Sequence, residues 1–271
     1  MLKTSDNKYF AIDAHCHIYP EKIAARAIGG TDAFYSTHSV CTGVVDDMLS
    51  YADRAGIDKA LVHSVATTPR QVGSINRFIA DSVARFPDRL IGFGTLHPAS
   101  ENIVGDLEDL LSLGLRGVKL HPDIQDFKID DYRALSIYEA CEERGVPILF
   151  HAGDSRYDRS NPNRLVPILK IYTRLNVIAG HFGGYTIWEK AVEALAGIPN
   201  LYVDCSSSMP FLTDEKIKEY IRRYGEDRVI FGTDYPMWVA EKEVARLLSL
   251  GLSDEAYEKI FAKNLLKLLN L

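Results

Sequence analysis

Eight short apolar runs recur along the chain, each ending in a polar cluster: FAIDAHCHI, KALVHSV, LIGFGTLHP, GVKLHP, PILFHAG, NVIAGHFGG, LYVDCSS and VIFGTDYP. Their length, β-branched content and turn-like endings predict buried strands. Between them lie segments with apolar residues at helical spacing, over 44–56, 74–87, 103–114, 131–145, 164–175, 186–197, 214–225 and 238–251, with a further one at 254–269. Gly56, Gly114 and Gly145 sit where a left-handed cap would stop three of these helices, and Pro87 where a fourth must end. Strand and helix alternating every 25 to 35 residues or so is the rhythm of an α/β (β/α)₈ TIM barrel, expected as a single domain over 1–271. The rival is a doubly wound open sheet. It carries a glycine-rich phosphate loop after its first strand, where this chain has His15 and His17. The longer loops, 19–43, 154–164 and 206–213, all follow strand C-termini, where a barrel builds its substrate site.

Composition narrows the function classes. The 271 residues are 46% hydrophobic and 25% charged, with a net charge of -6. That balance suits a globular protein and offers no basic footprint for nucleic acid. No apolar stretch approaches the roughly 20 residues of a membrane span, so no membrane association is expected. The N-terminal segment lacks the long apolar core of a secretory signal. The four cysteines, Cys16, Cys41, Cys141 and Cys205, show no paired spacing, so reduced thiols in a cytoplasmic protein are expected. Cys16 lies between two histidines on a strand and is expected to face away from them, as packing.

The chemistry concentrates at the strand ends. Seven of the eight histidines stand at or near the C-terminal ends of the apolar runs. Imidazole is the commonest metal ligand among side chains, so parallel strands would bring a set of ligands to one mouth. His15 and His17, two apart on a strand, share a face and can hold one cation between them. His151, His181 and Asp234 end three later strands and add two nitrogens and a carboxylate. Such a donor set with an open position suits a catalytic divalent ion, zinc above all. His63 and His97 read as satisfied core or supporting histidines, and His38 as a solvated loop residue. Lys119 and His121 share one face of the GVKLHP strand. Arg156, in the loop beyond His151, is a candidate clamp for a substrate carboxylate or a solvated loop residue, the two readings standing even.

The motifs HCH at 15–17, HAG at 151–153, GHFGG at 180–184 and GTDYP at 232–236 resemble the amidohydrolase superfamily, and its branch that includes aminocarboxymuconate-semialdehyde decarboxylase-like enzymes. The resemblance implies a barrel holding one divalent metal ion, usually zinc, on His15, His17, His151 and Asp234. His181 is then a neighbour of the ion. A two-metal alternative would make Lys119 a carboxylated bridge; otherwise Lys119 anchors an anionic substrate or fills the barrel mouth. The first expected activity is hydrolysis of a small carboxylate-bearing amide, lactone or ester, with Asp234 moving the proton and His181 polarising the carbonyl. The second is non-oxidative decarboxylation of an unsaturated or aromatic acid at the same residues. The substrate is expected to be a small anion, bound through Lys119, His121 or Arg156. Related barrels often pair, which makes a homodimer the expected assembly.

Overall fold

A computed structural model describes residues 8–271; the first seven residues of the expected domain lie outside it. The eight apolar runs all form strands, and all pair in parallel: β1 (Ile12–His17), β2 (Lys59–His63), β3 (Leu90–Gly92), β4 (Gly94–Thr95), β5 (Val118–Leu120), β6 (Ile148–Phe150), β7 (Val177–Ala179), β8 (Leu201–Asp204) and β9 (Val229–Ile230). β3 and β4 come from one run, interrupted at Phe93, whose N–H still bonds to Val62 O at 3.0 Å. They occupy a single barrel position between β2 and β5. The ring closes between β9 and β1 through Ala14 N–H to Phe231 O (2.9 Å) and His17 N–H to Tyr235 O (2.7 Å). The result is the TIM barrel that the alternation predicts.

The helices are α1 (Glu21–Tyr35), α2 (Val45–Ala55), α3 (Val72–Arg85), α4 (Ile103–Ser112), α5 (Tyr132–Arg144), α6 (Pro162–Ile171), α7 (Trp188–Leu195), α8 (Asp214–Tyr224), α9 (Ala240–Leu248), α10 (Asp254–Glu258) and α11 (Asn264–Leu269). Gly56 and Gly145 cap α2 and α5 at φ 72° and 63°, a conformation glycine adopts without a Cβ clash. None of these helices is long and apolar enough to cross a membrane.

Two apolar layers hold the barrel. Inside it, Ile12, Ala14, Leu61, Ile91, Phe93, Leu149, Ile178, Tyr202 and Ile230 pack together, and Leu265, Leu268 and Leu269 of α11 join this cluster. Outside, the alternate strand residues pack on the helices, with Val62, Val118, Leu120, Phe150 and Val203 buried in one continuous cluster. Burying a side chain of this kind contributes roughly 1.5–3 kcal/mol. The four cysteines are free and buried, and Cys16 belongs to the outer cluster, away from the histidines.

One expectation fails. The segment expected as a long loop at 19–43 contains α1, a helix of 15 residues. Gly29 and Gly30 lie in its middle, and a Cβ at either would meet no atom within 4 Å. The helix tolerates them at a cost of about 1 kcal/mol each.

Candidate active site

The site depends on a defect in β1. Asp13 pairs with Ala60 but Cys16 with Val62, so one extra residue is inserted between them. Before it Ile12 and Ala14 face the barrel interior; after it Cys16 and Ile18 face outward. The bulge thus reverses the alternation and turns His15 and His17 inward. Asp13 pins the bulge by accepting from Thr233 N–H (2.9 Å), Thr233 Oγ1 (2.5 Å) and His15 N–H (3.2 Å).

At the mouth, His15 Nε2 and His17 Nε2 each lie 3.4 Å from Asp234 Oδ1. Two sets of donor atoms meet within 4.8 Å: His15, His17 and His63, and His15, His181 and Asp234. His15 Nδ1–H donates to Asp204 Oδ2 at 2.8 Å, which leaves the Nε2 lone pair pointing at the cluster. Lys119 Nζ donates to that lone pair at 2.8 Å. His181 Nδ1–H donates to Ser206 O at 3.1 Å, so its Nε2 is likewise an acceptor. Burial first, and then the charge on Lys119, pushes His15 down to about 4. Burial also lowers His17 and His63. Neutral imidazoles are the form that ligates. Burial pushes the Asp234 carboxyl up, but His15, His17 and His181 outweigh that and hold it well below the usual carboxylate range. Burial takes Lys119 down to about 8 against the pull of Asp234 and Asp204.

This donor set fits a divalent cation, and one observation supports the fit independently. Both ring nitrogens of His63 are buried with no hydrogen-bond partner. Each such nitrogen costs about 1–3 kcal/mol unless something satisfies it.

His151 stands apart from the pair it was expected to join. Its donor atom groups with those of His121 and Asp123, and it meets the first cluster through His181, its Nδ1 lying 3.0 Å from His181 Nε2. The His121 and His151 rings stack at 4.0 Å with an interplanar angle of 3°. Ile124 N–H donates to His121 Nδ1 at 3.3 Å, so His121 carries its proton on Nε2 and donates it to the Tyr35 hydroxyl at 2.7 Å. The Tyr35 hydroxyl also lies 3.2 Å from His151 Nε2, which Gly153 O approaches at 3.0 Å. Asp123 accepts from Ser160 Oγ at 2.5 Å on one oxygen and leaves Oδ1 unpartnered. Tyr35 ends α1, so the helix hidden in the expected loop supplies the residue that closes this second cluster.

Arg156 is not placed to clamp a substrate. It forks onto Asp154 (Nε to Oδ1 3.0 Å, Nη2 to Oδ2 2.7 Å) and donates to Phe34 O at 2.6 Å, with its guanidinium over the Phe34 and Tyr35 rings. Its charge and donors go into holding the end of α1. Lys119 is fully buried behind His15. His97 is satisfied locally, its Nδ1 accepting from Ala99 N–H at 3.1 Å. Sequence reasoning passed over Asp204, although it ends its strand as Asp234 does, and Asp123, which sits two residues beyond His121.

A cavity of about 820 Å³ opens over the site, reaching His17, His121, Asp123, His151, His181 and Asp234. Its walls are largely apolar and aromatic, including Phe34, Tyr35, Phe78, Tyr185 and Trp238. Arg26 of α1 is the one arginine or lysine among the described residues that line it.

With this geometry in place, comparison with known proteins is decisive at one level. Residues 12–271 match the Amidohydrolase (Amidohydro_2) family. The chain belongs to that family. A curated relative, 2-amino-3-carboxymuconate-6-semialdehyde decarboxylase of Dictyostelium discoideum, is 24% identical over 235 residues, covering 73% of this chain and 66% of the relative, just under two thirds of its length. Among solved structures, an uncharacterized TIM-barrel protein from Bordetella bronchiseptica matches with a TM-score of 0.81 at 22% identity, covering 96% of this chain and 98% of the other. A dihydroxybenzoic acid decarboxylase from Polaromonas sp. JS666, with bound manganese and the inhibitor 2-nitroresorcinol, matches with a TM-score of 0.76 at 18% identity and 97% coverage of both chains. These likenesses confirm the fold. They also correct the first expectation of activity: the Dictyostelium relative and the Polaromonas protein are both decarboxylases, so the hydrolytic reading, with a water attacking an amide, lactone or ester, is withdrawn.

Proposed function

We propose that this amidohydrolase-family barrel is a metal-dependent non-oxidative decarboxylase, a carboxy-lyase, acting on an aromatic or unsaturated acid. The observation that carries the reading is the cluster at the mouth: neutral, inward-turned His15 and His17 facing the ionised Asp234 under an aromatic-walled cavity. The decarboxylase activity of the named relatives supports this reaction over others that the same residues allow.

His15, His17 and Asp234 would hold a divalent ion. Zinc suits the imidazole donors, and manganese is the ion bound in the Polaromonas structure. Bound there, the ion would supply positive charge to orient and polarise an anionic substrate. Decarboxylation breaks the bond between the carboxyl group and its carbon, leaves the electron pair on that carbon and replaces carbon dioxide with a proton. Asp234 and His181 both line the cavity, and they are the groups assigned to relay that proton from water to the carbon. Ser207 Oγ donates to Asp234 Oδ2 at 2.6 Å and fixes the carboxylate while it does so. The proposed role of His151 is to orient His181 through their hydrogen bond.

The cavity also speaks to the substrate. A cavity of about 150 Å³ is enough to hold a benzene ring, so 820 Å³ accommodates a substituted ring or a longer conjugated acid. Arg26 is the group assigned to a remote anionic or polar substituent, and His121 is a further polar wall. The test is carbon dioxide release from a panel of hydroxylated aromatic acids, dihydroxybenzoic acids first, with manganese or zinc supplied. Release that depends on metal and on Asp234 supports the reading. Hydrolysis of esters or lactones without any decarboxylation would overturn it.

A further inference from the structure

The second strand carries a histidine for which the expected site has no use. His63 ends β2, lies in register with His17 across the β1–β2 pair and is fully buried. Its ring meets that of His17 edge-on at 4.4 Å and that of His15 at 5.0 Å. One nitrogen from each of the three lies within 4.8 Å of the others. Nevertheless neither nitrogen of His63 has a hydrogen-bond partner. Buried polar atoms are paired as a rule, so two unpaired atoms on one ring, aimed among lone pairs, call for an occupant. His97, the other histidine that reads from sequence as merely structural, shows the contrast: its Nδ1 is satisfied by a backbone N–H, and it belongs to no such cluster.

We propose that His63 is a ligand of the divalent ion, forming with His15 and His17 a three-imidazole set on the adjacent strands β1 and β2. Asp234 flanks this set, 3.4 Å from both His15 and His17. Ligation satisfies one nitrogen of His63. An imidazole-rich set of this kind favours first-row ions such as zinc, cobalt or nickel over magnesium and calcium. The inference rests on the metal reading of the mouth and is independent of which reaction the enzyme performs.

The test uses cobalt(II) as probe, because its visible bands report the number and kind of ligands. The full-length apoprotein is titrated with Co²⁺, alongside His63→Asn, His63→Gly with and without imidazole, and His97→Asn, with folding followed by far-UV circular dichroism. The expected result is a loss of Co²⁺ affinity of about tenfold or more in both His63 variants. Altered bands should accompany it, with imidazole restoring the bands in His63→Gly and no change in His97→Asn. If His63→Gly does not fold, His63→Asn carries the comparison of affinity and bands. Wild-type affinity and bands in a folded His63 variant would overturn the proposal. So would a loss of affinity with unaltered bands that imidazole does not repair, which would mark His63 as packing. Failure of the wild-type protein to bind cobalt would overturn the metal reading and this proposal together.

Discussion

Two histidine clusters lie side by side at the mouth of this barrel, and they differ in where their lone pairs point. In the first, Asp204 and Lys119 hold the two nitrogens of His15, Asp234 faces His15 and His17, and His63 brings two nitrogens that nothing satisfies. In the second, the nitrogens of His121 and His151 are taken up by Ile124 N–H, the Tyr35 hydroxyl and His181. The same residue type at equivalent strand ends thus leaves two imidazole nitrogens unpartnered in one place and none in the other. The backbone decides which: a one-residue bulge opens the first, and the end of α1 closes the second.

The sharpest way to break this comparison is to remove the carboxylate of the open cluster. Asp234→Asn keeps the shape but loses the charge and the proton carrier, and should lower turnover by about 10²–10⁴-fold. Fold and melting temperature should be retained, as read by circular dichroism; full activity in this variant would remove Asp234 from the site. Next in size, Arg26→Ala should raise KM for an acid with a second anionic group by about tenfold with kcat little changed, because the removed contact holds substrate and transition state alike. Tyr35→Phe tests the closed cluster. Losing a hydroxyl that bonds two histidines should cost roughly 1 kcal/mol and reduce kcat/KM about fivefold, while metal affinity stays at the wild-type value.

The smallest effect concerns a buried acid outside both clusters. Glu243 on α9 is buried, its Oε2 has no partner, and burial pushes its carboxyl up to about 8 from an ordinary 4.5. The folded protein therefore holds a proton that the unfolded chain releases, and stability falls as pH rises from about 4.5 to about 8. Glu243→Gln should remove this slope and raise the melting temperature by a few degrees at pH 8, with little change at pH 5. An unchanged pH profile would show that Glu243 ionises normally.

The barrel was legible because its strands are short apolar runs with polar ends, separated by amphipathic helices, and no other arrangement of eight such units closes so simply. The strand-end residues His15, His17, His181 and Asp234 were legible for the same reason, since parallel strands gather their C-termini. The bulge was not, for nothing in IDAHCH marks an inserted residue; without it the two histidines would point outward. α1 was hidden by Gly29 and Gly30, which carry a turn signal that the helix overrides. His63 was discounted because its run continues past it as SV, which puts it inside the strand; the strand in fact stops at His63. Arg156 was visible as a cation near the site, but its neighbour Asp154 captures it.

The most direct test of the account is metal content after equilibrium dialysis of the purified protein against Mn²⁺ or Zn²⁺, by elemental analysis. The open and closed character of the two clusters predicts one equivalent per chain, lost in His15→Ala and retained in His121→Asn. Two equivalents, or one that survives His15→Ala and disappears with His121→Asn, would place an ion in the cluster that Tyr35 closes and contradict the account.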